Sequence, residues 1–180
     1  MKNSAAAKKQ LIQLLQLAYS GELAAAMAYK GHWKSLTKSE EIKAIQDIEH
    51  DELTHRQRVG EILEELGVAP LHKKEILMRT IGHIISLLCH VTGWYFPMDG
   101  AGRLESKNVG EYEEAAELAY LAGYPHFADE FLEMAEVEWD HEKYFHNKAK
   151  NHWLYRFTPP WKTMPPRENI RKNYQSKKLL

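Results

Sequence analysis

Two stretches of this chain are the same unit written twice: Glu52-Leu53-Thr54-His55 and Glu138-Trp139-Asp140-His141. On a helix, residues three apart project from one face, so each pair aims a carboxylate and an imidazole at a common point. Two such units, joined by one Glu from each of two further helices, make the ligand set of a carboxylate-bridged dinuclear metal site inside a four-helix bundle. The spacing therefore asks for four helices and two more carboxylates. Glu22 and Glu111 meet that demand, giving a predicted set of Glu22, Glu52, His55, Glu111, Glu138 and His141.

The helices that must position these groups are written in the hydrophobic periodicity. A first helix is predicted from about Ser4 to Trp33, with Leu11, Leu14, Leu15, Ala18, Ala25 and Tyr29 on a stripe that includes Glu22. The Lys8-Lys9 pair before an apolar run resembles a signal peptide, but interleaved Gln10, Gln13 and Gln16 favour an amphipathic, cytoplasmic helix. Thr37 and Glu40 read as a capping box opening a second helix, whose buried side carries Ile45, Ile48, Val59 and Ile62 with Glu52 and His55. Gly67 and Pro70 close it.

Residues 71–98 are too long for a bare loop and too apolar for a linker. Thr80 to Pro97 carries 18 residues without formal charge, the lower limit for a membrane span. Arg79, His83, Ser86 and His90 draw a polar stripe through it, opposite Leu77, Ile81, Ile84, Ile85, Leu88 and Val91. This predicts an amphipathic helix, serving as a crossover packed on the bundle or lying in a membrane interface. Asp99-Gly100-Ala101-Gly102 reads as a turn before a third long helix ending near Ala122, and Gly123-Tyr124-Pro125 breaks the chain before a fourth. The expected architecture is all-α: a ferritin-like four-helix bundle of two antiparallel hairpins over residues 1–150, with the crossover at 71–98. An irregular basic tail follows over 151–180.

Hairpin symmetry supplies an internal check. Helices joined by a short turn bring together residues equidistant from it, and Glu22 and Glu52 each lie fifteen residues from Thr37. Both therefore sit roughly 22 Å from the turn at ~1.5 Å per residue. The midpoint of Glu111 and Glu138 falls at Tyr124–Pro125, the predicted break. Glu105, Glu113, Glu114 and Glu117 compete for the third-helix position. Glu111 is preferred by the mirror relation and by a face shared with Leu104, Ala115, Leu118 and Ala122, with Glu114 next.

Composition narrows the chemistry. Lys plus Arg number 24 against 25 Asp plus Glu, so no global charge argues for nucleic acid. One cysteine, Cys89, excludes an intrachain disulfide and disfavours thiolate ligation. Four carboxylates and two imidazoles carry a charge of minus four, which two divalent cations neutralise. Oxygen and nitrogen donors suit two iron ions, with manganese the alternative. A reduced iron pair can pass two electrons to dioxygen, and the spacing leaves iron oxidation, peroxide reduction and hydroxylation of an organic substrate open. From Asn147 onward nine Lys or Arg face one acid, Glu168, with Trp153, Tyr155, Phe157 and Trp161 interleaved. Such a tail suits a membrane surface, a partner groove, or wrapping on its own bundle.

Several motifs resemble the demethoxyubiquinone hydroxylase family, a ferritin-like di-iron group of ubiquinone biosynthesis. Gly21-Glu22-x-x-Ala25-x-x-x-Tyr29-x-Gly31 is similar to its first-helix motif, Glu52-x-x-His55 to its second, and Leu66-Gly67-Val68-Ala69-Pro70 to its helix exit. Val109-Gly110-Glu111-Tyr112-Glu113 resembles the third-helix segment and Glu138-x-x-His141 the last. The likeness spans about Leu11 to Tyr144, and the Trp-rich basic tail lies outside it. It implies an oxygen-activating monooxygenase acting on a quinone-like ring at the inner face of a membrane, peripherally bound through the 76–96 segment. A homo-oligomer is compatible with this expectation.

Overall fold

The computed structural model describes residues 2–178, and these are all-helical, with no strand among them. Six α-helices follow in order: α1 (Lys2–Ser35), α2 (Ser39–Glu65), α3 (His72–Leu88), α4 (Tyr95–Ala122), α5 (Ala128–Ala149) and α6 (Asn169–Lys178). The chain forms two compact units, Ile12–Pro97 and Met1–Leu11 with Met98–Leu180. The all-α expectation holds at this level.

In the unit Ile12–Pro97, α1 buries Leu15, Ala18, Ala25, Ala26 and Tyr29, and α2 buries Ile45, Ile48, Val59, Ile62 and Leu63. These positions recur at three-to-four spacing, so each helix turns one stripe inward. The capping box expected at Thr37 is not formed. Lys38 is the residue preceding the helix and makes no side-chain cap, its carbonyl instead accepting from the Glu41 and Ile42 amides. The exit of α2 follows expectation. Gly67 takes φ +73°, its amide reaches Glu64 O at 2.9 Å, and the Val68 amide reaches Leu63 O at 2.9 Å. This paired closure satisfies carbonyls that helix ends leave orphaned, and it needs a residue without a Cβ.

Helix α3 forms within the expected amphipathic segment and leaves both its large apolar residues and most of its polar stripe exposed. The inward side carries Gly82 and Cys89, with Ser86 half-buried. A Cβ on Gly82 would stand 2.9 Å from the Ala24 carbonyl oxygen and from Met27 Cβ, and one on Gly31 would overlap the Ser86 backbone. The backbones of α1 and α3 approach so closely that only small residues fit. The large apolar residues consequently point outward: Ile84 and Leu88 are about half exposed, Leu87 is 71% and Val91 79% exposed. Arg79, His83 and His90 are exposed beside them, whereas Ser86 turns toward α1. No helix among the described residues is long and apolar enough to cross a membrane.

The second unit is built on α4 and α5, with the first turns of α1 hydrogen-bonded to the α4 end through Ser4 Oγ and Ala122 O at 3.2 Å. The predicted turn at Asp99–Gly102 is instead the interior of α4. Gly102 is small because an aromatic ring lies against it: a Cβ there would overlap Trp161 and come within 2.7 Å of Phe145 Cβ. Met98, Gly102, Glu105, Val109, Tyr112, Ala116 and Ala119 are buried at unbroken four-three spacing. Gly123, with φ +90°, closes α4 by the same pair of bonds seen at Gly67, Gly123 N to Tyr120 O and Tyr124 N to Ala119 O.

The 151–180 segment belongs to this second unit and is not irregular throughout. It makes one short 3-10 turn at Trp153–Phe157 and then α6, which forms beyond Pro166 where no further helix was expected. Ile170 and Tyr174 of α6 are buried. Its cations go to the unit's own acids: Arg171 bonds Glu136 at 2.7 Å and Asp129 at 2.5 Å, and Lys177 pairs with Glu117. Trp139 Nε1 donates to Pro165 O at 2.7 Å. Of the readings open for the tail, wrapping on its own helices is the one observed for these residues.

Candidate metal centre

Each unit gathers one triad of buried carboxylates and imidazole. In the first, Glu22 of α1 joins Glu52 and His55 of α2, all at most 4% exposed. One donor atom from each lies within 4.8 Å of the others. Two ligands about 2.1 Å from a shared ion are at most about 4.2 Å apart, so small side-chain rotations bring these three onto one metal. The spacing that sequence offered, with Glu22 and Glu52 equidistant from the α1–α2 turn, is realised here.

In the second unit, Glu138 and His141 of α5 come together as expected, with His141 Nδ1 3.5 Å from Glu138 Oε2. Their carboxylate partner is Glu105, not Glu111. Glu105 is fully buried, its donor atom lies within 4.8 Å of those of Glu138 and His141, and its Oε2 accepts from Asn108 Nδ2 at 2.9 Å. Glu111 pairs instead with Lys107 at 2.6 Å, its side chain 35% exposed.

The physical reason is rotational. Taking Leu104 as a stripe residue turns α4 by one position, about 100°. Leu104 is 46% exposed, and the true stripe passes through Glu105 and Tyr112. The signal that finds Glu105 is the run Met98, Gly102, Val109, Tyr112, Ala116, Ala119, whose small and aromatic members Glu105 continues.

Burying carboxylates and imidazoles at this density is unfavourable unless the charges compensate one another or a cation neutralises them. The donor set, two carboxylates and one imidazole in each triad and no thiolate, fits a hard or borderline divalent ion. Cys89 does not compete. It is buried, away from the triads in sequence, and burial pushes its thiol up to about 11.

A further buried acid of α5 was missed by sequence reading. Glu142 is buried beside His141 and accepts from Trp161 Nε1 at 2.8 Å, while His146 Nδ1 stands 3.7 Å from the same oxygen. Burial raises the Glu142 carboxyl above its ordinary range, against the Trp161 hydrogen bond and Lys143, which pull it down. Its engagement by the tail indole distinguishes it from the triad ligands. Only the fold brings Trp161, nineteen residues away, to that oxygen. Compared with known protein families, curated proteins and solved structures, the chain matches none.

Proposed function

We propose that this protein is a metal-dependent, oxygen-activating oxidoreductase of the ferritin-like di-iron kind, with Glu22, Glu52 and His55 as iron ligands in one unit and Glu105, Glu138 and His141 as iron ligands in the other. The single observation that carries this reading is the occurrence, in each unit, of a buried carboxylate–carboxylate–histidine triad with donor atoms within 4.8 Å. Iron suits these donors, and manganese shares the preference. When bound, the metal pair supplies electrons to dioxygen. The chain's own groups hold the ions, keep the site dry and, through the Asn108 hydrogen bond, fix one Glu105 oxygen.

The substrate class we propose is a quinone-like or other apolar aromatic molecule. The apolar residues that α3 turns outward support delivery from an apolar phase, with the protein lying peripherally on the cytoplasmic face of a membrane. The resemblance drawn from the sequence motifs points the same way.

The test is metal analysis and optical spectroscopy after anaerobic Fe(II) loading and exposure to dioxygen. The expected result is two irons per chain, lost in part in Glu52→Ala and in His141→Ala. Loading unchanged by both substitutions sinks the metal reading. Hydroxylation of a quinone precursor supports the monooxygenase. Repeated oxidation of Fe(II) with no organic product would instead assign the site to iron oxidation.

A further inference from the structure

Trp161 makes more specific contacts than filling a space requires. Its ring lies over Gly102 and its Nε1 donates to Glu142 Oε1 at 2.8 Å. The His146 imidazole stacks on it, centroids 4.7 Å apart and planes within 11°. His146 Nε2 in turn is 3.0 Å from the Tyr155 hydroxyl. An apolar ring would fill the seat over Gly102 without the carboxylate, the parallel imidazole or the phenol.

The row of rings has an inner and an outer end. Gly102 precedes Glu105 by three residues and Glu142 follows Glu138 by four, so both contacts of Trp161 lie about one helical turn, ~5 Å, from triad carboxylates. Trp161 is 8% exposed, and Tyr155 is only half-buried. The Arg103 guanidinium stands 5.0 Å from the Trp161 ring, but it bonds Asp99 at 2.8 Å and Pro159 O at 2.7 Å, which offsets its charge near the indole. Indole and phenol are the protein side chains most readily oxidised by one electron, and here they alternate with an imidazole able to take a proton.

We propose that Trp161, His146 and Tyr155 form a one-electron path between the Glu105–Glu138–His141 triad and solvent. This rests on the metal centre proposed above. Trp161 gives one electron to the dioxygen-oxidised centre and keeps its N–H on Glu142 as the indole cation. Tyr155 then returns one electron to Trp161 and passes its phenolic proton to His146 Nε2, leaving a neutral tyrosyl radical and a protonated imidazole. A small-molecule thiol or ascorbate from solvent restores Tyr155 with one electron, and the proton returns from His146. His146 suits this role because burial, then Lys150, Lys143 and Arg103, lower its pKa, so that it is neutral and ready to accept. The path drains oxidising equivalents when no organic substrate is bound, sparing the triad side chains.

The experiment is rapid freeze-quench electron paramagnetic resonance on iron-loaded protein exposed to dioxygen without organic substrate, with iron content measured on the same samples. Peptide mass spectrometry then maps oxidised side chains. Wild type is expected to show a tyrosyl radical, Tyr155→Phe a longer-lived indole radical, and Trp161→Phe neither, with oxidation shifted to triad peptides. Iron that binds and oxidises while giving no radical, or a radical unchanged in Trp161→Phe, overturns the path alone. Protein that binds no iron overturns it together with the metal reading. Should Trp161→Phe fail to fold, Tyr155→Phe decides: it leaves Trp161 in place, and absence of the indole signal there overturns the proposal.

Discussion

The two triads use the same donors but are held by different means. Around Glu22, Glu52 and His55, the third helix is seated by absence of side chain: Gly31 and Gly82 let α1 and α3 touch backbone to backbone, and the bulk of α3 turns outward. Around Glu105, Glu138 and His141, reinforcement comes from a strap of large side chains. Trp161 lies over Gly102, Trp139 bonds Pro165, and Arg171 clamps Asp129 and Glu136. Close backbone approach tolerates no added atom, whereas a strap tolerates loss of its exposed ion pairs but not of its buried ring. The apolar outer face of α3 is the counterpart of the charged outer face of α6.

The largest expected effect separates the two acids of α4. Glu105→Ala should cost at least about tenfold in iron affinity at the second triad while sparing the first, by analogy with the loss of an orienting or ligating group. Glu111→Ala should leave iron content unchanged and alter stability by no more than about 1 kcal/mol, since it removes an exposed ion pair. Metal analysis of the two variants side by side reverses the assignment of the triad if the order is inverted.

The strap should fail through its ring. Trp161→Ala removes a buried indole and is expected to cost about 3–5 kcal/mol in chemical denaturation. Arg171→Ala, at a group 39% exposed, should cost less than about 1 kcal/mol. Equal losses for both would show that the strap is held by its charges.

Acid should find a weak point in the first unit. His32 is buried with no hydrogen-bond partner at either ring nitrogen, and burial, partly opposed by Glu41, lowers its pKa from 6.5 to about 4. An unfolded histidine binds its proton more tightly, so the unfolded chain takes up more protons between these values. The stability this group contributes is therefore present above pH 6.5 and lost as pH falls toward 4, by about 3 kcal/mol. His32→Phe should flatten that acid limb, and an unchanged pH profile would remove His32 from the account.

The smallest effects test the glycine seats. Gly82→Ala should cost about 1–3 kcal/mol by forcing α3 off α1. Gly100→Ala, where an added Cβ meets nothing within 4 Å, should stabilise α4 by about 0.5–1 kcal/mol. Thermal unfolding of both variants shows whether seat and open position differ in sign.

What the sequence determined was local and periodic. Five of the six helices with the glycine closures at Gly67 and Gly123, the repeated Glu-x-x-His, and the pairing of Glu22 with Glu52 about a short turn were legible, because helix faces repeat every 3.6 residues and a tight turn fixes register. Periodicity says which residues share a face, not which face turns inward when two stripes compete. On α4, apolar Leu104 pulled the reading one residue off the stripe of Glu105. On α3, hydrophobic residues are normally the buried ones, and here the close approach at Gly31 and Gly82 reverses that. The indole on Glu142 depends on the chain turning back after α5 past Pro159-Pro160, and the ion pairs of α6 on charges far apart in sequence. Those contacts join residues whose separation carries no period, so only the tertiary structure could decide them.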